Sequence, residues 1–207
     1  AQTTVQNATL LVRQGKIMAV GNNIAIPKDA VIIDCSGKFI YPAFIDIYSD
    51  YGITVANAQQ QNFTSAAAFF RTQQLTSGTK GAYGWNQALK PETEAYKIFT
   101  ADEAKAKALR DIGFGSVLTH QKDGIARGSG AFVTLAAQPD NFVILKDKAS
   151  AHYSFSKGSS SQSYPGSMMG MIALLRQTYL DAQWYKTNPV TEGVNLSLKN
   201  WNDNQSL

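Results

Sequence analysis

The stretch that most constrains this chain runs from Thr100 to His120, where a helix signal empties directly into a short apolar run. "TADE", Thr100 to Glu103, reads as a capping box. The Thr100 hydroxyl accepts the amide hydrogen of Glu103, and the Glu103 carboxylate reaches back to the Thr100 amide. Ala104, Ala108, Leu109 and Ile112 continue the helix, and Gly113 ends it in the left-handed position that a residue without Cβ adopts cheaply. "GSVLTH" follows at once, then "AFVTLA" and "NFVILKD", three apolar runs of strand length. A helix feeding a buried strand is the grammar of an α/β fold.

Upstream the texture differs. From Ala8 to Ile47, short runs rich in Val and Ile ("ATLLVR", "KIMAVG", "IAIPKDA", "VIIDCSG", "KFIYPAFIDI") alternate with turn signals such as Gln14-Gly15 and Asn22-Asn23. That pattern predicts strands joined by hairpins, a small β unit. Residues 53–90 carry Gln, Ser, Thr, Gly and Ala with little periodicity beyond a possible turn of helix in "SAAAFFRTQQL", and predict a long, partly mobile excursion. Downstream, "SFSKGSSSQS" reads as a Ser-rich flexible loop. The helix after it carries Met168, Met171, Ile172, Leu175, Tyr179 and Ala182 on one stripe, and Pro189 stops it.

Composition narrows the function classes. With 207 residues, 44% of them hydrophobic, the chain has material for a real core. A net charge of +4 comes from 19 basic residues scattered singly, which argues against a nucleic-acid partner. No apolar run approaches the roughly 20 residues of a membrane span. One cysteine, Cys35, allows no intrachain disulfide or multi-cysteine zinc site, and its strand-turn setting predicts a buried structural thiol. Residue 1 opens on "AQTTVQ" without a leader pattern. The compartment stays open between a periplasmic or exported bacterial location and the cytoplasm.

Three segments, in order and closely spaced, carry a family resemblance: "QGKIMAVG", "IPKDAVIIDCSGKFI" and "YPAFIDIYSD". They resemble the amidohydrolase superfamily, in its imidazolonepropionase-like and dihydroorotase-like branch, and "GFGSVLTHQKDGIARGSGAFVTL" and the last helix look like a bacterial subgroup of it. The resemblance implies a β-sandwich flanking a (β/α)₈ TIM-like barrel, with metal at the C-terminal ends of the barrel strands. It also implies hydrolysis of non-peptide C–N bonds in a cyclic amide or related small molecule. In that family a metal-bound water attacks the carbonyl centre and an aspartate shuttles the proton. The expected division is residues 1–41 as a β-sandwich portion and 42–207 as the N-terminal part of an incomplete barrel.

The family's first-strand "HxH" pair falls on Tyr48 and Asp50. Asp50 offers one carboxylate oxygen, whereas Tyr48 would have to lose a proton held at a pKa of roughly 10, so neither is expected to hold zinc as the histidines do. A whole barrel needs roughly 250 residues, so the expectation is a fragment with later ligands beyond Leu207 and no cofactor held within this chain, although zinc is implied for the family. Asp50 and His120 are the catalytic candidates; His120 follows a predicted barrel strand, where such enzymes gather functional groups. Tyr48, Asp50 and Arg127 are the ligand-binding candidates, Arg127 because the glycine-rich turn "DGIARGSGA" could grip an anionic group. The alternative is a non-catalytic relative that binds a small polar ligand without metal. A scaffolding role would follow if residues 53–90 made an oligomer contact, and unpaired strand edges predict self-association or pairing with a missing C-terminal half. His152 reads as an ordinary structural residue. The aromatics Tyr83, Trp85, Trp184 and Tyr185 read as core, and Ser159 to Ser161 lack the His and Asp partners of a serine hydrolase.

Overall fold

The structure is a computed structural model that describes residues 4–54, 86–188 and 194–207. The expected excursion over 55–85, Tyr83, Trp85 and the helix stop at Pro189 therefore lie outside the described residues. The chain divides into two compact units, Ala1–Pro42 and Ala43–Leu207.

In the first unit, β1 (Thr9–Arg13) and β2 (Lys16–Gly21) form an antiparallel hairpin. Gln14 and Gly15 join them, both with positive φ, +50° and +73°, the two-residue turn whose twist matches a right-handed hairpin. The apolar runs at 24–43 do not form the strands their composition predicts. Val31, Ile32 and Ile33 remain largely exposed, and a strand without a ladder partner gains nothing from its composition. Cys35 is exposed rather than buried. The Asp34 side chain accepts hydrogen bonds from the Ser36 amide (2.8 Å) and hydroxyl (2.6 Å), and this local turn bends the chain around Cys35.

The second unit holds a four-stranded sheet in the order β3 (Phe44–Ser49), β4 (Phe114–Thr119), β5 (Ala126–Thr134), β6 (Ile144–Tyr153). β3 and β4 are parallel, with α1 (Ala95–Ile98) and α2 (Glu103–Asp111) on the crossover between them. β4–β5 and β5–β6 are antiparallel, because the short links 120–125 and 135–143 leave no room for a crossover helix of the length a parallel return requires. "NFVILKD" is split: α3 (Asp140–Val143) takes its first half and β6 its second. Most of "DGIARGSGA" is strand rather than turn, since β5 begins at Ala126.

Two apolar clusters hold this unit. In the first, Ala106 and Leu109 of α2 meet Val117 of β4, Ala131 and Val133 of β5, and Val143. Each fully buried aliphatic side chain there stabilises by about 1.5–3 kcal/mol. The α2 N-cap is Asp102, not Thr100: its carboxylate accepts the Lys105 amide at 3.1 Å. Tyr51 fixes that choice, because its hydroxyl is bonded to both the amide and the carbonyl of Asp102. Gly113 ends the helix as expected, at φ +99°.

In the second cluster, α4 (Met168–Thr187) and α5 (Leu196–Asn204) cover Ala88, Leu89, Ile125 and Ala126. The inward face of α4 carries Met171, Leu174, Leu175, Ala182 and Tyr185, while Met168, Ile172 and Tyr179 are exposed. The apolar stripe is thus rotated from the predicted one. The helix is apolar over much of its girth, so periodicity alone does not select a face. No helix among the described residues is long and apolar enough to cross a membrane.

Candidate functional site at the strand ends

One rim of the sheet gathers the polar side chains. Parallel pairing puts the C-terminal ends of β3 and β4 together, and the hairpins add the start of β5 and the end of β6. Tyr48 lies at the end of β3 with Asp50 just beyond it. His120 follows β4, its amide bonded to the Ser49 carbonyl at 3.0 Å. Arg127 is the second residue of β5, and His152 the penultimate residue of β6.

These residues contact one another. Arg127 donates from Nη1 to the Tyr48 hydroxyl (2.9 Å) and from Nε to the Gly124 carbonyl (3.2 Å). The Tyr48 ring lies 4.9 Å from His120. His120 stacks on His152 with centroids 3.6 Å apart and planes 2° from parallel. Ser150 Oγ is 2.6 Å from His152 Nε2. Lys122 sits 4.7 Å over the Tyr48 ring and 3.6 Å from Asp50. All four residues singled out from sequence, Tyr48, Asp50, His120 and Arg127, thus meet at this rim. Lys122 and His152 join them, and sequence reasoning passed over both. No local pattern marked His152, which became informative only once β6 was seen to pair beside Arg127.

Both imidazoles are uncharged at neutral pH. Burial, the neighbouring His152 and the cations Arg127 and Lys122 push His120 down to about 3, with Asp50 opposing. Burial and Arg127 push His152 down to about 4. His120 is fully buried, and neither of its ring nitrogens has a hydrogen-bond partner in the structure.

The donor set does not fit a metal ion. Imidazole lone pairs lie in the ring plane, and two parallel planes 3.6 Å apart cannot aim at one ion roughly 2 Å from each nitrogen. The one carboxylate at the rim among the described residues, Asp50, faces Lys122, and Arg127 adds a second positive charge. Among the described residues no group of three or more His, Cys, Asp or Glu side chains is arranged to hold an ion.

Beside this rim, Asp123 ties the chain together. Its carboxylate accepts the Ser159 amide and hydroxyl, both at 2.7 Å, and pairs with Lys90, whose ammonium also reaches Ser159 Oγ at 3.1 Å. Burial pushes its carboxyl up, but Lys90 and Ser159 outweigh that and hold it below the usual carboxylate range. The Ser-rich segment 154–163 is therefore stitched down rather than loose. Further bonds run from the Ser161 amide and hydroxyl to Gln87 and from Lys157 Nζ to the Gln162 carbonyl. Asp123→Asn is expected to cost about 2 kcal/mol by leaving Lys90 without its counter-charge, and to open 154–163 to proteolysis. Limited digestion checks this; an unchanged cleavage rate there would contradict it.

No family model matches the chain. It is 28% identical over 127 residues to a D-hydantoinase of Geobacillus stearothermophilus, covering 59% of this chain and 26% of that enzyme. It is 42% identical over 41 residues to imidazolonepropionases of Vibrio cholerae, covering 20% of this chain and 10% of theirs. Its fold is similar to the crystal structure of an amidohydrolase from Thermotoga maritima MSB8, with TM-score 0.65 and 22% identity over 92% of this chain and 49% of that one. The match spans about half the length of that solved relative, about a quarter of the hydantoinase and a tenth of the imidazolonepropionases. The shared fold has mixed α and β content. With the sequence matches to the hydantoinase and imidazolonepropionases, this supports the resemblance to the amidohydrolase superfamily.

Proposed function

We propose that this chain is the N-terminal portion of an amidohydrolase-family hydrolase that opens non-peptide C–N bonds of a cyclic amide, with the strand-end rim as its ligand-binding part. The observation carrying this is the convergence of Tyr48, Asp50, His120 and Arg127 at the C-terminal ends of the parallel pair β3–β4, where enzymes of barrel type build their sites. The names of the similar enzymes, a hydantoinase and an imidazolonepropionase, support a cyclic amide as the substrate class. In this reading residues 1–41 belong to a β-sandwich and 42–207 to an incomplete barrel. The parallel β3–α2–β4 unit and the division after Pro42 support it. Among the described residues β3 is an edge strand with Ile45 and Ile47 exposed, which supports pairing with the remaining strands of a longer protein or with a second copy.

Within the rim, Tyr48 and Arg127 are placed to bind and orient a polar ligand. His120, with a conjugate acid near 3, is too weak a base at neutral pH to serve well in proton transfer, so positioning is its better role. A second reading, a metal-free binding relative, is favoured by one specific contact set: Tyr48 and Asp50 are engaged by Arg127 and Lys122. Incubating the full-length protein with hydantoin and succinimide, with and without added zinc, separates the two. Appearance of the ring-opened acid is expected; binding of the rings without turnover under either condition would favour the second reading.

A further inference from the structure

The Arg127 Nε donates to the Gly124 carbonyl at 3.2 Å, and the same oxygen accepts the Ser154 hydroxyl at 2.9 Å. That carbonyl shares its planar peptide unit with the Ile125 amide, which donates to the Ala88 carbonyl at 2.7 Å. One peptide plane is thus anchored at both ends. Gly124 makes the seat possible: at φ +91°, a Cβ there would lie 2.7 Å from the Ala88 oxygen. Asp123, buried, fixes the other flank of the turn. Its carboxylate accepts the Ser159 amide and hydroxyl and pairs with Lys90, and Gly158 packs so closely that a Cβ on it would fall on Asp123 Oδ1. The Ser154 amide adds a bond to the Ile125 carbonyl at 2.8 Å. All of these contacts close on residues 123–125, the turn whose carbonyl holds the guanidinium.

We propose that Asp123 and Ser154 are positioning residues for Arg127: with Lys90 and Ser159 they immobilise the 123–125 turn, so that the Gly124 carbonyl fixes the guanidinium against Tyr48. A guanidinium on a long stem has many rotamers, and one Nε hydrogen bond to a held carbonyl selects among them before a ligand arrives. Nη1 then meets the Tyr48 hydroxyl at 2.9 Å, at the end of β3. The segment 154–159 acts on the rim through the backbone of this turn. Its part in handling a ligand rests on the reading that Arg127 binds one; the holding of Arg127 does not.

Two readouts on the full-length protein test this. The Arg127 Nε–H proton, assigned in NMR spectra by its loss in Arg127→Lys, reports the hydrogen bond directly, and the amides of the buried Val117 and Val133 report the core. Asp123→Asn is expected to speed solvent exchange of the Nε–H at least about tenfold relative to those amides, and Ser154→Ala about threefold. With hydantoin and succinimide as substrates, Asp123→Asn should lower kcat/KM about threefold to tenfold, yet cause no further loss in an Arg127→Lys background, because its effect passes through the guanidinium. Nε–H exchange that only keeps pace with the core amides in both variants would overturn the proposal, and so would an equal further loss in the Arg127→Lys background. If Asp123→Asn fails to fold, Ser154→Ala and Ser159→Ala, each losing only a hydroxyl, decide by the same exchange ratio. Faster Nε–H exchange without any ring opening would defeat the hydrolase reading alone. Ring opening with an unchanged exchange ratio would defeat the positioning alone.

Discussion

Replacing Gly128 by alanine is expected to destabilise the protein by about 3 kcal/mol or more, enough to deplete the folded state of a marginal domain. Gly128 lies in β5 at φ +79°, and a Cβ there would fall on the carbonyl oxygen and carbon of Thr93. The close approach has a structural purpose. The N-terminal half of β5 receives residues 88–94 on the side that its C-terminal half gives to β4. The Lys90 amide bonds to the Ala126 carbonyl at 2.8 Å and the Ser129 amide to the Thr93 carbonyl at 2.9 Å. A methyl group would push this segment off the strand that carries Arg127. Gly15→Ala is the control, because Gly15 also has positive φ but nothing within 4 Å of a built Cβ. It should lose only about 1 kcal/mol, from backbone strain. Denaturant melts of both variants measure the difference; equal losses would mean that the Thr93 contact contributes nothing.

The second large effect is acid sensitivity. An unfolded histidine titrates near 6.5, whereas His120 and His152 are held down at about 3 and about 4 in the folded chain. Between these values the unfolded chain binds protons that the folded chain refuses. The neutral pair therefore contributes fully above pH 6.5, and its contribution is lost as pH falls toward 4 for His152 and toward 3 for His120. Two parallel rings 3.6 Å apart also cannot both become cations without direct repulsion, so they resist protonation jointly. A loss of about 4–5 kcal/mol between pH 7 and pH 4.5 is expected, shared about equally by the two rings. His152→Gln should remove roughly half of that slope. Stability that stays level over this range would contradict the buried neutral stack. Asp123, held below the usual carboxylate range, adds its own loss only at still lower pH.

How far the sequence could be read depended on the range of the interactions. The helix 103–111, its end at Gly113 and the strand before His120 were legible because capping and left-handed glycine are local chemistry. The choice of Asp102 over Thr100 as cap was not, since it depends on Tyr51, distant in sequence. Strand partners were similarly hidden: 24–43 has strand composition and forms no strand, whereas the glycine-rich start of β5, read as a turn, is paired on both sides. Tyr48, Asp50, His120 and Arg127 could be named individually because motif position and strand-end location are sequence properties. That His152 stacks on His120, and that Arg127 reaches Tyr48, follows from the β4–β5–β6 hairpins, which no local pattern announces.

Steady-state ring opening by the full-length protein and its Arg127→Gln variant is the most direct measurement of whether this rim handles the ligand. If the proposed hydrolysis holds, then with the cyclic amide giving the highest wild-type rate the variant is predicted to lose at least about tenfold in kcat/KM, the usual cost of removing a charged ligand contact. An Arg127→Gln protein that folds normally and retains wild-type kcat/KM would contradict a ligand site at these strand ends.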